Sequence, residues 1–363
     1  MRRGTDLLAW FDRHRRDLPW RRTSDPYQIW ISEVMLQQTR VEVVLPFYNR
    51  FLERFPTVQD LARSGVEDVL AAWSGLGYYR RARQLHAAAR AIAESEAGFP
   101  TTVEGLRALP GVGAYTAAAV ASIAFGVPAP VMDGNVERVL SRVLALDEDP
   151  RSSAARKRLL AEAAALLDPK RPGDSNQALM ELGATLCSPR APKCLLCPLH
   201  PGCRAARSGE PERYPVPRTK RETERHRLLV AVVEKDGGVL LFRRPEDSPL
   251  LAGTWELPWV SLGEDGAGTP GSSAAGLAAR YGGTWRLGAS AARVRHGITY
   301  RDMDIEVHRA ELGRGRFREG TESGWFDEAG RAGLPLSSLV GKVLGALGST
   351  SAAPARRSRS RRR

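Results

Sequence analysis

Two carboxyl side chains in this sequence stand where acid–base chemistry could be done. Glu33 lies in residues 32–38, SEVMLQQ, beside Val34, Met35 and Leu36 and on a helical face shared with Trp30 and Gln37. A carboxyl group next to an aromatic ring and among apolar side chains can stay protonated near neutral pH, because such surroundings penalise its charged form. The plainer expectation for a helix glutamate is a solvent-facing position. Asp133 follows the helix-breaking Gly126, Pro128 and Pro130 and opens DGNVERVLSRV, where Val136, Val139, Leu140 and Val143 mark a buried helical face. Its plainer role is an N-cap. The approach to it begins LPGVG, and the glycines Gly111 and Gly113 leave backbone N–H groups uncovered at the start of a small-residue helix. That arrangement suits a phosphate, and an ordinary interhelical turn is the alternative.

Two further groups carry chemical potential. Cys187, Cys194, Cys197 and Cys203 are all the cysteines of the chain and follow the spacing C-x6-C-x2-C-x5-C. Disulfides are disfavoured in a reducing compartment, so metal binding is the natural reading. The spacing is not the paired C-x2-C usual for zinc and favours an iron–sulfur cluster, with zinc and free thiols as alternatives. In SGLGYYRRAR, Gly75 and Gly77 form a turn, Tyr78 and Tyr79 stand at its exit, and Arg80, Arg81 and Arg83 follow. Aromatics interleaved with arginines suit base stacking and phosphate neutralisation; a buried tyrosine pair beside a solvated helix face is the equal alternative.

The chain that must position these residues has 363 residues, 42% of them hydrophobic, enough for two or three domains with cores and too apolar for a disordered protein. Its formal charge of +13 points to a polyanionic partner, although Arg356, Arg357, Arg359, Arg361, Arg362 and Arg363 supply six of those charges. No membrane segment is expected. The apolar run near Leu7 is short, and the uncharged stretch from Ala114 to Met132 is cut by Gly126, Pro128 and Pro130. An intracellular, cytoplasmic protein follows.

Local signals predict an all-helical body over residues 1–206. Asp25-Pro26 reads as N-cap and first helical residue of YQIWISEVMLQQT, and Thr5 as the cap of a first helix. Ser64 with Glu67 and Thr101 with Glu104 fit capping boxes for helices near 66–73 and 103–108. Ser152 or Ser153 would cap a helix to about Leu167, and Asp174 or Ser175 one that stops before Cys187. A helical hairpin falls at about 103–125 and the cysteine loop at 187–203. Residues 207–226, rich in proline and charge, read as a linker. The period then changes: a hairpin around Asp236-Gly237-Gly238 and strands in WELPWV, TWRLGAS, ARVRHGITY and DMDIEVHRAEL describe an α+β domain over 227–348, closed by a helix from Leu334 to Leu347. Residues 349–363 read as a disordered basic tail.

Taken together, LPGVG, Asp133, the clustered cysteines and the glutamate of SEVMLQQT closely resemble the MutY family of adenine DNA glycosylases, within the helix-hairpin-helix superfamily. SEVMLQQT, GLGYY and VMDGNV are specific to that family, whereas LPGVG and the cysteine spacing are shared with endonuclease III relatives. The resemblance covers nearly the whole chain. It implies a multidomain fold, with an all-α helix-hairpin-helix DNA glycosylase domain bearing an iron–sulfur loop and an α+β Nudix-like C-terminal domain. The implied activity is removal of adenine from A:8-oxoguanine or A:G mismatches in double-stranded DNA, by a monomer. Glu33 would protonate adenine N7, Asp133 would stabilise an oxocarbenium-like sugar, and Tyr115 and Asn135 match positions that assist them. Trp20, Arg21 and Gln177 match the adenine pocket, Gln38 and Tyr78 the side chains that enter the duplex, and Gly111 and Gly113 the phosphate turn. The cysteines would hold a [4Fe–4S] cluster, with Arg190 and Lys193 facing DNA.

Two departures refine these expectations. Endonuclease III relatives carry a Schiff-base lysine where this chain has Tyr115, so a lyase is the disfavoured alternative and a monofunctional glycosylase is expected. A non-catalytic iron–sulfur DNA-binding protein is the other alternative. In the C-terminal domain GTWELP is Nudix-like, but SSAAGLAARYG lacks the acidic row that would hold magnesium. The family's turn that reads 8-oxoguanine corresponds to Ile298, Thr299 and Tyr300, near His296.

Overall fold

The computed structural model describes residues 2–217, 222–262 and 270–350. In chain order these form α1 (Arg2–His14), α2 (Pro26–Leu36), α3 (Val41–Arg54), α4 (Val58–Arg63), α5 (Val66–Ala72), α6 (Arg80–Glu94), α7 (Val103–Arg107), α8 (Ala114–Phe125), α9 (Gly134–Leu144), α10 (Ser153–Leu166), α11 (Pro172–Thr185) and α12 (Arg204–Arg207). They continue as β1 (Glu224–Val232), β2 (Glu234–Lys235), β3 (Gly238–Arg243), β4 (Trp255–Glu256), β5 (Trp259–Ser261), α13 (Pro270–Tyr281), β6 (Trp285–Ile298), β7 (Arg301–Leu312), β8 (Ser323–Phe326), α14 (Glu328–Ala332) and α15 (Ser338–Thr350). The tail read as disordered lies, from residue 351 onward, outside the described residues, as do residues 218–221 of the expected linker. Among the described residues no helix is long and apolar enough to cross a membrane.

The described residues divide into two compact units. One joins residues 2–64 to 83–217, the other joins 65–82 to the C-terminal sheets. Residues 65–82, read from the sequence as part of the helical body, thus pack in the second unit.

In the first unit α2 is the central element. Asp25 accepts a hydrogen bond from Tyr27 N at 2.9 Å, Pro26 takes the first helical position, and nearly every residue from Tyr27 to Met35 is buried. A helix buried on all sides needs partners on all sides. It packs on α3 and on α8, whose run of small side chains from Ala117 to Ala121 lets the backbones approach, and Gln37 Nε2 donates to Thr116 Oγ1 at 3.0 Å between them. A second core gathers Leu7 and Phe11 of α1, Val136, Val139 and Leu140 of α9, Leu159 of α10 and Leu179 and Leu182 of α11. Burying each such side chain contributes about 1.5–3 kcal/mol.

Several local expectations shift. α1 begins at Arg2, so Thr5 lies inside it. Ser64 closes α4, its hydroxyl donating to the Leu61 carbonyl at 2.7 Å, so Gly65, which has no side chain to cap with, precedes α5, and the full capping box forms at Thr57 and Asp60. Thr102, not Thr101, caps α7. Arg171 precedes α11, and Pro172 starts it, which leaves Asp174 and Ser175 in its first turn. The linker expected from residue 207 is anchored at Tyr214, which is buried in the helical core while its carbonyl accepts from Arg142 Nε at 3.0 Å.

The second unit holds two sheets. One has the order β5-β1-β7-β6, with β1 parallel to β7 and antiparallel to β5; in the other, β3 pairs with β2, β4 and β8. Successive residues of β1 enter opposite cores, as the two-residue period of a strand requires: Leu228 and Val230 face a core with Val340 and Val343 of α15, Leu229 and Ala231 one with Leu277 and Tyr281 of α13. Both faces are covered, so β1 reads as an unbroken apolar run. The Asp236-Gly237 turn joins β2 to β3, both residues having positive φ. TWRLGAS and ARVRHGITY are one long strand, β6, with register shifts near Ser290. Strand β8 and helix α14 are additions to the expected elements.

Candidate active site and cysteine centre

The first unit contains a cavity of about 390 Å³ into which Glu33, Asp133, Tyr115, Asn135, Trp20, Arg21 and Gln177 all face. They arrive from five places in the chain: the turn before α2, α2 itself, the N-terminus of α8, the mouth of α9, and α11.

Glu33 is 4% exposed, which overturns the solvent-facing expectation for it. Burial pushes its pKa up to about 7; the Tyr115 hydroxyl pulls it back, the nearby Asp133 charge pushes it further, and Arg21 opposes that. Tyr115 Oη donates to Glu33 Oε2 at 2.5 Å and also touches Met180 Sδ at 3.2 Å. Burial and the two carboxylates raise the Tyr115 pKa well above its ordinary value, so the phenol stays a donor.

Asp133 is both an N-cap and a cavity residue. Its Oδ1 accepts from Val136 N at 2.7 Å and its Oδ2 from Asn135 Nδ2 at 3.0 Å. Burial raises its pKa, and those two donors pull it down. Asn135 is held in turn by Arg138, whose Nη2 donates to Asn135 Oδ1 at 2.9 Å and to the Gly183 carbonyl at 2.8 Å, while its Nε reaches the Cys187 carbonyl at 2.9 Å. A Cβ at Gly183 would come within 2.6 Å of the Asn135 side chain, so α9 and α11 approach this closely only with glycine there.

In the same cavity Arg21 forks between Gln177 Oε1 at 3.2 Å and Glu181 Oε2 at 2.9 Å, and the Trp20 ring stands edge-on to Tyr48. Glu181 is 1% exposed and also accepts Arg16 Nε at 2.8 Å and Arg16 Nη2 at 2.9 Å. Burial alone would raise its pKa, but the two guanidiniums outweigh that and hold it at about 2. Sequence reasoning did not single out Glu181, Arg16 or Arg138. The available signals were the four-residue spacing from Gln177 to Glu181 and the three-residue spacing from Asn135 to Arg138, each of which puts a pair on one helical face.

The remaining candidates lie outside the cavity. Gln38, just past α2, is exposed with φ of 58°. Gly111 has φ of 73°, and a Cβ there would collide with Gln84, while the exposed Gly113 caps α8 with no side-chain bond and leaves first-turn N–H groups uncovered. Tyr78 belongs to the second unit. So do Thr299 and Tyr300, the two residues between the Ile298–Arg301 pair of the β6–β7 hairpin. Thr299 has φ of 57° and its hydroxyl donates to the Ile298 carbonyl at 2.6 Å. The Tyr300 ring lies under the Arg301 guanidinium.

None of the four cysteines forms a disulfide, and all four border one small pocket against α9. Burial raises the pKa of Cys194, Cys197 and Cys203, that of Cys197 to about 12. The buried Arg142 places Nη1 3.4 Å from Cys187 Sγ and donates to the Ser188 and Pro189 carbonyls, which ties the loop to α9. Among the described residues no three His, Cys, Asp or Glu side chains are gathered closely enough to hold a metal ion. What the pocket offers is a four-thiol donor set around a shared space, with a cation beside it. Arg190 and Lys193 are exposed on the same loop.

A family profile described as "HhH-GPD superfamily base excision DNA repair protein" matches residues 31–164, the stretch that carries Glu33, Tyr115 and Asp133. The human protein named "Adenine DNA glycosylase" is 40% identical over 310 residues, covering 70% of this chain and 57% of that protein. A protein of the same name from Mycolicibacterium smegmatis is 41% identical over 259 residues, covering 70% of this chain and 85% of that protein. The chain spans 47% to 61% of the length of the animal and plant relatives it matches. Among solved structures, a thermostable thymine-DNA glycosylase superposes with a TM-score of 0.52 at 31% identity, covering 56% of this chain and 95% of that one.

Proposed function

The chain belongs to the adenine DNA glycosylase family, and from that membership we propose that it removes adenine from A:8-oxoguanine and A:G mismatches in double-stranded DNA, as a monofunctional enzyme of base excision repair. The observation that carries the reading is the Tyr115 hydroxyl on Glu33, 2.5 Å away, in one cavity with the capped Asp133.

Adenine leaves the base stack, which costs roughly a few kcal/mol, and enters the cavity. Trp20, Arg21 and Gln177 line its seat. Glu33, with its pKa near 7, is poised to be protonated; it gives its proton to adenine N7, so that the C1′–N9 bond breaks with the electron pair leaving on the base. Asp133 remains a carboxylate under the donors Val136 N and Asn135 and stabilises the positive sugar. Water then adds at C1′ and its proton passes to the Glu33 carboxylate. Tyr115 orients that carboxylate. No lysine stands at position 115 to form a Schiff base, and the abasic strand is left uncut.

Gln38 and Tyr78 enter the duplex, and the N–H groups around Gly111 and Gly113 receive a phosphate. Cys187, Cys194, Cys197 and Cys203 would hold a [4Fe–4S] cluster, whose contribution is to cross-link the loop that presents Arg190 and Lys193 to DNA. The Arg142 guanidinium beside Cys187 suits thiolate ligands. The second unit serves as a Nudix-like reader of 8-oxoguanine through Thr299 and Tyr300. Functionally the chain divides into a glycosylase domain (1–206), a linker (207–226) and this reader (227–348).

The test is single-turnover cleavage of A:8-oxoguanine, A:G, A:T and G:T duplexes, with and without alkali. Abasic sites in the first two, cut only after alkali, are expected; an intact A:8-oxoguanine duplex overturns the reading, and release of thymine from G:T would redirect it. Iron and acid-labile sulfide in equal amounts are expected in the purified protein, and zinc in their place would refute the cluster.

A further inference from the structure

Residues 65–82 interrupt the helical unit in sequence, yet they pack with the C-terminal sheets. Their turn is built under strain. Gly75 and Gly77 have φ of 102° and 69°, and Tyr78, a bulky side chain, has φ of 50° and is 48% exposed. A left-handed tyrosine persists only where its surroundings hold it. On one side the fully buried Trp73 donates its indole N–H to the Gly77 carbonyl at 3.1 Å, and the Arg81 guanidinium lies over both the Trp73 and Tyr78 rings. On the other, Tyr79 is 4% exposed and its hydroxyl donates to the Leu336 carbonyl at 2.6 Å, just before α15. A second tie to the sheets runs from Glu67 of α5 to Arg243 of β3.

We infer that Tyr79 is a positioning residue, through which the C-terminal unit holds Tyr78 in the exposed left-handed conformation that offers its ring to a base. The inference rests on the proposed reading that Tyr78 stacks on DNA. It gives the C-terminal unit a role separate from reading the opposite base: the Tyr79 tie contributes to the affinity for any duplex with an extruded adenine, whether 8-oxoguanine or guanine stands opposite.

Tyr79→Phe keeps the ring and removes the tie. Without DNA, hydrogen exchange of the peptide spanning residues 74–81 is expected to speed up while the melting temperature stays close to wild type. The Kd for A:8-oxoguanine and A:G duplexes should rise about 5- to 10-fold, equally for both, the size expected for one lost buried hydrogen bond. The single-turnover rate at saturating enzyme should change less than about twofold, since the tie acts on binding alone. A Tyr78→Ala/Tyr79→Phe double variant should bind no more weakly than Tyr78→Ala, because the tie acts only through that ring. Glu67→Gln, which cuts the second tie, should move exchange and affinity the same way by about twofold, and it carries the test if Tyr79→Phe does not fold. Unchanged exchange and affinity, additive effects of the two tyrosine substitutions, or a loss confined to A:8-oxoguanine would each overturn the inference. If the wild-type protein binds these duplexes but removes no base, the proposed function fails while the exchange and affinity results still judge the tie.

Discussion

Glu33 on α2 and Glu181 on α11 face the same cavity, and both are nearly inaccessible to solvent. Glu33 is pushed up to about 7, whereas Glu181 is held at about 2. The burial is similar; the neighbours differ. Glu33 has a neutral phenol and a second carboxylate beside it, and Glu181 is clasped by Arg16 and Arg21. One carboxyl of the cavity is therefore held near neutrality, and the other is held as a charge that pairs with Arg21 beside Gln177.

The contrast can be broken most directly at the chemical step. Glu33→Gln should lower single-turnover adenine release by about 10²–10⁴-fold with DNA binding nearly unchanged. Glu181→Gln should leave far more of that rate and lose stability instead, about 3 kcal/mol in denaturant titrations at pH 7, the low end for a broken buried ion pair because Arg16 is partly exposed. A Glu181→Gln rate as low as that of Glu33→Gln would abolish the distinction.

Opposite signs of pH dependence sharpen it further. The raised pKa of Glu33 makes the fold lose stability as pH rises from 4.5 to about 7, so Glu33→Gln should be more stable than wild type at pH 8, by on the order of 2–3 kcal/mol, and show no gain at pH 4.5. The lowered pKa of Glu181 contributes stability that is full above 4.5 and lost as pH falls toward 2. Parallel melts across pH would expose any error in either sign.

A smaller effect concerns Tyr115. Its hydrogen bond favours the charged form of Glu33, so Tyr115→Phe should raise the Glu33 pKa and move the alkaline fall of the base-removal rate upward, by less than about one pH unit. A downward move would show that the phenol stabilises the protonated acid. The smallest expected change is Gln37→Ala, which deletes the bond to Thr116 between α2 and α8 and should cost about 0.5–1.5 kcal/mol in thermal or denaturant unfolding.

Much of the cavity could be anticipated from Glu33, Asp133 and their flanking motifs, because those motifs are local. Glu181 escaped notice since its one local mark, the four-residue spacing from Gln177, says nothing of a charge partner, and its partner Arg16 lies 165 residues away. The Ser64–Glu67 capping box misled for a different reason: Ser64 is already engaged in closing α4 through the Leu61 carbonyl, so α5 starts one residue later, after Gly65.

The sequence by itself determined what depends on a few neighbouring residues. Asp25-Pro26 starts α2, Asp236-Gly237 turns a hairpin, Asp133 caps α9, and the absence of lysine at 115 limits the chemistry available there. Tertiary structure alone decided the burial that raises the Glu33 pKa and the clasp on Glu181, and it placed residues 65–82 with the C-terminal sheets. A cap or a turn is settled by backbone hydrogen bonds spanning two to four residues, whereas a buried charge answers to whichever groups the folded chain brings within a few ångströms.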